Sequence, residues 1–527
     1  MYSIHRHSIL VDHVTSTTDS RSEMQNELKQ MKISVIGAGL GGLAASAILA
    51  ARGHTVDLFE QNEQPGGKMQ EVRTEGFRFD TGPSLFTMPF LVEQVFELCE
   101  KSPSDYLEWV PVEPVCRYQF PDGVVFHNYQ DPGKNRSELM RIAPEDVQAW
   151  DRFMEYSGDL YRRTAETFLF NPLQGIGDLQ LGNIPDFLRI DAFSTVSKRV
   201  DDFFSSPRLR QLFKRFPTYN GSSPYQAPAT LNVIPFVELR LGGYYIHGGM
   251  YNLARALVKL AQDCGVRVHT GIPVDMIIPD PGRKRSISGL MINGTLYEAD
   301  AVIANSDATD TYLNLLPQNA LSHFKRRKIA RIEPSCSGFV VLLGINRIYP
   351  QLEHHNIFFS EDYEEEFRTI FELREPPQDP TVYITNTSRT DPYDAPPECS
   401  NLFMLVNAPY TAPGQLWHEW TETYTDHIIH TMEDRGLEGL RESILVKKVI
   451  TPPDFERLYG SNRGSIYGTS SNNRNAAFIR PRNKSPWFDN LYLCGGSTHP
   501  GGGIPLVMQS AMNVGALVSR QADTMTR

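Results

Sequence analysis

A short apolar run closing on three spaced glycines constrains this chain more than any other feature. Lys32-Ile33-Ser34-Val35-Ile36 reads as a buried strand, and Gly37-Ala38-Gly39-Leu40-Gly41-Gly42 follows at once. Leu40 to Ala51, rich in alanine and leucine, reads as a helix. Gly37, Gly39 and Gly42 hold the three glycine positions of a dinucleotide-binding turn. Such a turn lets backbone approach a pyrophosphate, and the helix N-terminus adds amide donors and a partial positive charge. Thr55-Val56-Asp57-Leu58-Phe59 reads as a second strand ending at Glu60. Glu60 falls about 20 residues past the central glycine, where a carboxylate accepts from a ribose hydroxyl. Strand, turn, helix, strand and acid in this order separate the motif from an ordinary strand-to-helix turn.

At 527 residues the chain is long enough for two domains. Hydrophobic residues make up 40% and the mean hydropathy is −0.34, as in a globular protein. No apolar run approaches the roughly eighteen residues that a bilayer-spanning helix needs. A net charge of −11 argues against a nucleic-acid partner. The six cysteines show no C-x-x-C spacing, so neither a zinc site nor a disulfide framework is expected, and a reducing cytoplasm fits. Residues 1–30 are polar, lack an apolar core and read as a disordered leader or as upstream of a start at Met31.

Two further glycine segments narrow the cofactor. Gln64-Pro65-Gly66-Gly67-Lys68 follows the acid, and Phe79-Asp80-Thr81-Gly82-Pro83-Ser84 comes next. This resembles the flavin-containing amine oxidase and phytoene desaturase superfamily, where a Gly-Gly-Arg/Lys segment runs beneath the flavin. The resemblance implies FAD, with Gly67 and Lys68 among its contacts. Near the other end, Leu491-Tyr492-Leu493-Cys494-Gly495-Gly496 leads into Ser497-Thr498-His499-Pro500-Gly501-Gly502-Gly503-Ile504-Pro505 and a helix. That run resembles the signature of bacterial carotenoid desaturases, whose C-terminal strand, turn and helix close over the ribityl chain and pyrophosphate. Gly495, Gly496 and Ile504 take those positions here. Pro273-Val274 resemble the family residues whose backbone meets the adenine ring, which places Val274 in the cofactor set.

The expected architecture is α/β: a Rossmann-like FAD domain assembled from residues 31–100, 241–325 and 453–527, with an α+β substrate domain from 101–240 and 326–452. Within the second domain, Gly338–Gly344 and Leu402–Asn407 read as strands of an antiparallel sheet lining a substrate cavity. Between Val196 and Phe216, cations at Lys198, Arg199, Arg208, Arg210, Lys214 and Arg215 interleave with Phe203, Phe204, Leu209, Leu212, Phe213 and Phe216. The pattern fits a core-packing helix with a charged outer face. With a lipid-dissolved substrate it also fits a monotopic surface resting on anionic lipid, and the expectation is peripheral membrane association on the cytoplasmic side.

The resemblance implies an FAD-dependent carotenoid desaturase of the phytoene desaturase kind. It would pass hydride from a polyene to flavin and electrons on to oxygen or a membrane quinone. A 1-hydroxycarotenoid 3,4-desaturase, a carotenoid cis-trans isomerase and a terminal-methyl oxygenase of the same fold stay open beside it. Such chemistry asks at most one acid or base of the protein, because the cofactor carries the difficult step. Glu155, in Phe153-Met154-Glu155-Tyr156-Ser157, resembles an acid on a family helix, although Gly158 stands where family members carry an arginine. It also reads as a solvated helix carboxylate. His499, beside the C-terminal turn, could titrate near neutrality or hydrogen-bond the loop.

Overall fold

The computed structural model describes residues 30–165, 190–472 and 480–526. Apart from Gln30, the expected leader lies outside them. Lys32–Ile36 (β1) leads into the helix Leu40–Ala51 (α1), which returns to Thr55–Phe59 (β2). β1 is the centre of a five-stranded sheet. It pairs in parallel with β2 on one side and with Ala301–Ala304 on the other. Arg267–His269 extends the sheet beyond β2, and Leu491–Leu493 extends it beyond Ala301–Ala304, both in parallel. One sheet is thus drawn from three distant stretches of the chain.

A parallel sheet is covered on both faces, so its strands are apolar throughout rather than alternating. Val35, Val302, Ile303 and Leu491 are all inaccessible. On one face Ala44, Ala45 and Ile48 of α1 pack with Leu253, Ala254 and Leu257 of the helix Tyr251–Asp263 and with Ala511, Val514 and Val518 of the helix Ile504–Thr526. The alanines of α1 let three helices approach closely over the strand ends that bear the glycine turns.

The second lobe is built on a seven-stranded sheet ordered Ile444–Ile450, Ser337–Ile345, Ser400–Ala408, Val382–Thr385, His355–Phe358, Cys116–Gln119 and Val125–Asn128. Every pairing is antiparallel except that of His355–Phe358 with Cys116–Gln119. The two-residue period of a strand divides its side chains cleanly. Leu402, Met404 and Val406 face the helix Trp417–Asp434, meeting Ile428, Ile429 and Met432. Phe403, Leu405 and Asn407, one step out of phase, line a cavity.

The segment expected to rest on lipid does something else. It forms the helices Val196–Phe203 and Pro207–Lys214, and Phe204, Leu209, Leu212, Phe213 and Phe216 are buried in the core of this lobe. Phe204 stacks on Phe213 with ring centroids 4.7 Å apart. The cations are tied to acids: Arg199 to Asp191, Arg208 to Asp122, and Arg210 and Lys214 to Asp201. The apolar ridge therefore turns inward, for the ordinary reason that large aromatic side chains gain most when removed from water. Among the described residues no helix is long and apolar enough to cross a membrane.

Candidate functional site

A cavity of about 450 Å³ runs from the glycine turns of the first lobe to the open face of the seven-stranded sheet. Its first half is made of backbone. Gly37 and Gly39 line it at the end of β1; Gly42 stands behind them, where a Cβ would lie 2.1 Å from the Gly37 carbonyl oxygen. Any side chain there would drive α1 off the turn. The second turn lies against the first: the Gly66 amide donates to Ala38 O (2.8 Å), and a Cβ on Gly67 would meet Gly39 Cα at 3.1 Å.

The third turn arrives from the far end of the sequence. Gly495 and Gly496 follow the strand Leu491–Leu493, and Gly502, Gly503 and Ile504 open the long C-terminal helix. Two helix N-termini, at Leu40 and Ile504, so border one cavity. Free amides and aligned peptide dipoles make each of them a seat for anionic oxygen. Asn305, just past the strand Ala301–Ala304, holds the turns together. Its Nδ2 donates to Gly37 O (3.3 Å), and its Oδ1 sits where a Cβ on Gly495 would come within 2.7 Å. Arg480, buried, donates to Gly496 O (3.3 Å) and Thr469 O (3.1 Å), which fixes the loop; burial lowers its pKa to about 10.

Glu60 is buried and lines the cavity; its Oε2 accepts from the Ala38 amide (2.7 Å) and its Oε1 from the Asn62 amide (3.0 Å). These bonds orient the carboxylate and leave it acceptor capacity for sugar hydroxyls. Lys68 donates from Nζ to the carbonyls of Ser465 (2.8 Å) and Ile466 (3.2 Å). Burial pushes its pKa down to about 8, with Asp307 across the cavity opposing that shift. Burial in turn raises the Asp307 carboxyl, against the pull of Lys68. Val274 lines the same cavity.

The two acid/base candidates lie elsewhere. Glu155 is exposed on the helix Val147–Thr164 and does not line the cavity. His499 is buried beside the C-terminal turn, off the cavity wall; its amide donates to Pro481 O (2.9 Å) and its carbonyl accepts from Asn483 (2.9 Å). The structure brings a different set of polar groups to the half of the cavity at the seven-stranded sheet. Arg215 and Glu238, both buried, line the cavity and pair through Arg215 Nη2, which reaches Glu238 Oε2 at 2.7 Å and Oε1 at 2.9 Å. Tyr219 donates to the same carboxylate, as do Tyr118 (3.0 Å) and Asn128 (3.0 Å). Burial works against the guanidinium charge, but Glu238, Tyr118 and Tyr219 together more than offset it and the Arg215 pKa is raised. Arg215 Nε is buried with no acceptor. Nearby, Tyr383 OH bonds His355 Nδ1 (2.8 Å) and Ser84 Oγ (2.7 Å), and burial keeps His355 neutral. Facing these groups are Val340, Ile357, Phe403 and Leu405.

The residues present fit a flavin dinucleotide. Two helix N-termini would take the pyrophosphate, Glu60 the ribose, Val274 the adenine side, and the Gly66–Gly67 turn with Lys68 the ring side. When bound, the flavin supplies two-electron redox chemistry at carbon. The protein contributes orientation, exclusion of water, and the Arg215–Glu238 pair at the other end of the cavity.

Fold and site together define an FAD-dependent oxidoreductase. The chain belongs to the family of flavin containing amine oxidoreductases, whose pattern matches residues 40–518. It is 37% identical over 495 residues to a 4,4'-diapolycopene oxygenase of Methylomonas sp, covering 93% of this chain and 98% of that one. It is 35% identical over 497 residues to a 4,4'-diaponeurosporene oxygenase of Staphylococcus haemolyticus, covering 92% and 97%. Among solved structures, the fold resembles an oxidoreductase from Methanosarcina mazei (TM-score 0.63, 18% identity, 92% of this chain and 99% of that one). It also resembles putrescine oxidase bound to putrescine (TM-score 0.60, 13% identity, 94% and 99%).

Proposed function

We propose that this protein is an FAD-dependent oxygenase acting on the terminal carbon of an acyclic carotenoid. Relatives that match nearly end to end carry the names of carotenoid oxygenases, which supports the terminal-oxygenase reading over the desaturase reading favoured by the C-terminal signature.

The observation that carries the proposal is the Arg215–Glu238 pair. A hydrocarbon polyene gains nothing from a buried guanidinium, and an unsatisfied buried donor costs about 1–3 kcal/mol. An alcohol or aldehyde oxygen at the chain end would find polar partners at the end of the cavity that Arg215, Tyr219 and Glu238 line, while Val340, Phe403 and Leu405 would flank the polyene.

The test is expression in a bacterium that accumulates an acyclic carotenoid, with pigments read by chromatography and mass spectrometry. The expected products gain oxygen. Products that only lose hydrogen would make the enzyme a desaturase; unchanged mass with altered geometry would make it an isomerase.

A further inference from the structure

The membrane surface expected at Val196–Phe216 is core, but another part of the molecule has the character that segment lacks. Between Asp310 and Glu333 the chain carries Lys325, Arg326, Arg327, Lys328 and Arg331 and no acid, in a protein whose net charge is −11. Most of these lie on the helix His323–Ala330, and Arg331 caps its end.

The helix has two faces. On one, Ile329 is buried, Arg326 donates to the carbonyls of Tyr312 (3.2 Å) and Leu313 (2.5 Å), and Lys325 sits over the Trp487 ring at 5.7 Å. These contacts fasten the helix to the body. On the other, Phe324, Arg327, Lys328 and Arg331 follow the i, i+3, i+4, i+7 spacing of a single stripe. Phe324 is 79% exposed. Among the described residues no carboxylate comes within ion-pair distance of Arg327, Lys328 or Arg331, whereas the cations of the Val196–Phe216 segment are largely neutralised.

We propose that this face seats the protein on an anionic lipid surface, with Phe324 entering the headgroup boundary and Arg327, Lys328 and Arg331 meeting lipid phosphates. A purely ionic partner would account for the cations but not for a large aromatic ring held in water among them. An anionic bilayer accounts for both, since it offers an apolar layer directly beneath its negative surface. The local charge also overcomes the repulsion that such a surface would exert on an acidic protein.

The test is co-sedimentation of the FAD-loaded protein with phosphatidylcholine vesicles, with and without phosphatidylglycerol. Binding is expected only with the anionic lipid and is expected to fall as salt is raised. Arg327→Gln with Lys328→Gln should weaken it by about thirty-fold, and Phe324→Ser by about ten-fold. Flavin absorbance, unchanged in both variants, reports that the fold is intact. Undiminished binding of both variants, equal binding to neutral vesicles, or no binding to either would overturn the proposal.

Discussion

Arg215 donates through a single nitrogen to both carboxylate oxygens of Glu238, inside the wall of the cavity that also carries the glycine turns. Such a pair is costly to bury and costlier to break, because removing one partner strands a charge in a dry site. The Arg215–Glu238 pair is therefore held in place by everything around it: Tyr118, Tyr219 and Asn128 all donate to Glu238.

Arg215→Met should destabilise the protein by about 3–5 kcal/mol, since Glu238 would be left uncompensated. Adding Glu238→Met should recover much of that loss, measured by chemical unfolding. Oxygenated product should not return with the stability. Recovery of both together would make the pair purely structural.

Gly42→Ala places a methyl group 2.1 Å from the Gly37 carbonyl oxygen. The turn and α1 must part, and overpacking of this kind costs about 1–3 kcal/mol. FAD affinity should fall by roughly ten-fold or more, read as a lower flavin-to-protein absorbance ratio after dialysis.

Lys68 has its pKa lowered from 10.5 to about 8 by burial. Below about 8 the native state must hold the charge in a site that disfavours it. As pH climbs from about 8 toward 10.5, the unfolded chain binds more protons at this position than the folded one, so stability rises. Lys68→Met should abolish that rise. Unfolding free energies of wild type and variant, compared across the window, should converge at the alkaline end and differ most below about 8.

Adjacent residues of the strand Ser400–Ala408 should answer differently to truncation. Met404 is buried against the helix Trp417–Asp434, so Met404→Ala should cost about 2–5 kcal/mol. Leu405 lines the cavity, so Leu405→Ala should cost less stability and should instead raise the KM for the polyene.

The parts of this molecule that can be read from sequence are those held together locally. The first turn, its helix and Glu60 span one strand-helix-strand unit, and the glycines there answer to backbone approach that no other residue permits. The Gly66–Gly67 and Gly495–Gly496 turns are equally legible because what they require is close backbone approach and positive φ, which glycine permits. The substrate end is different. Arg215 comes from the turn after the helix Pro207–Lys214, Glu238 from a helix and Tyr118 from a strand, and only tertiary packing makes them neighbours. Asn305 carries no motif at all, and its role lies in the two turns it touches. The helices of Val196–Phe216 show the opposite failure: their period identified the apolar ridge correctly, but periodicity does not say whether a ridge faces the core or lipid.

The most direct test of the oxygenase reading is turnover of an acyclic carotenoid by the purified FAD-loaded protein under isotopically heavy dioxygen, with a two-electron reductant of the flavin supplied so that the second oxygen atom leaves as water. The expected product is oxidised at its terminal carbon and carries the heavy oxygen atom. A product with additional double bonds and no heavy oxygen would contradict it.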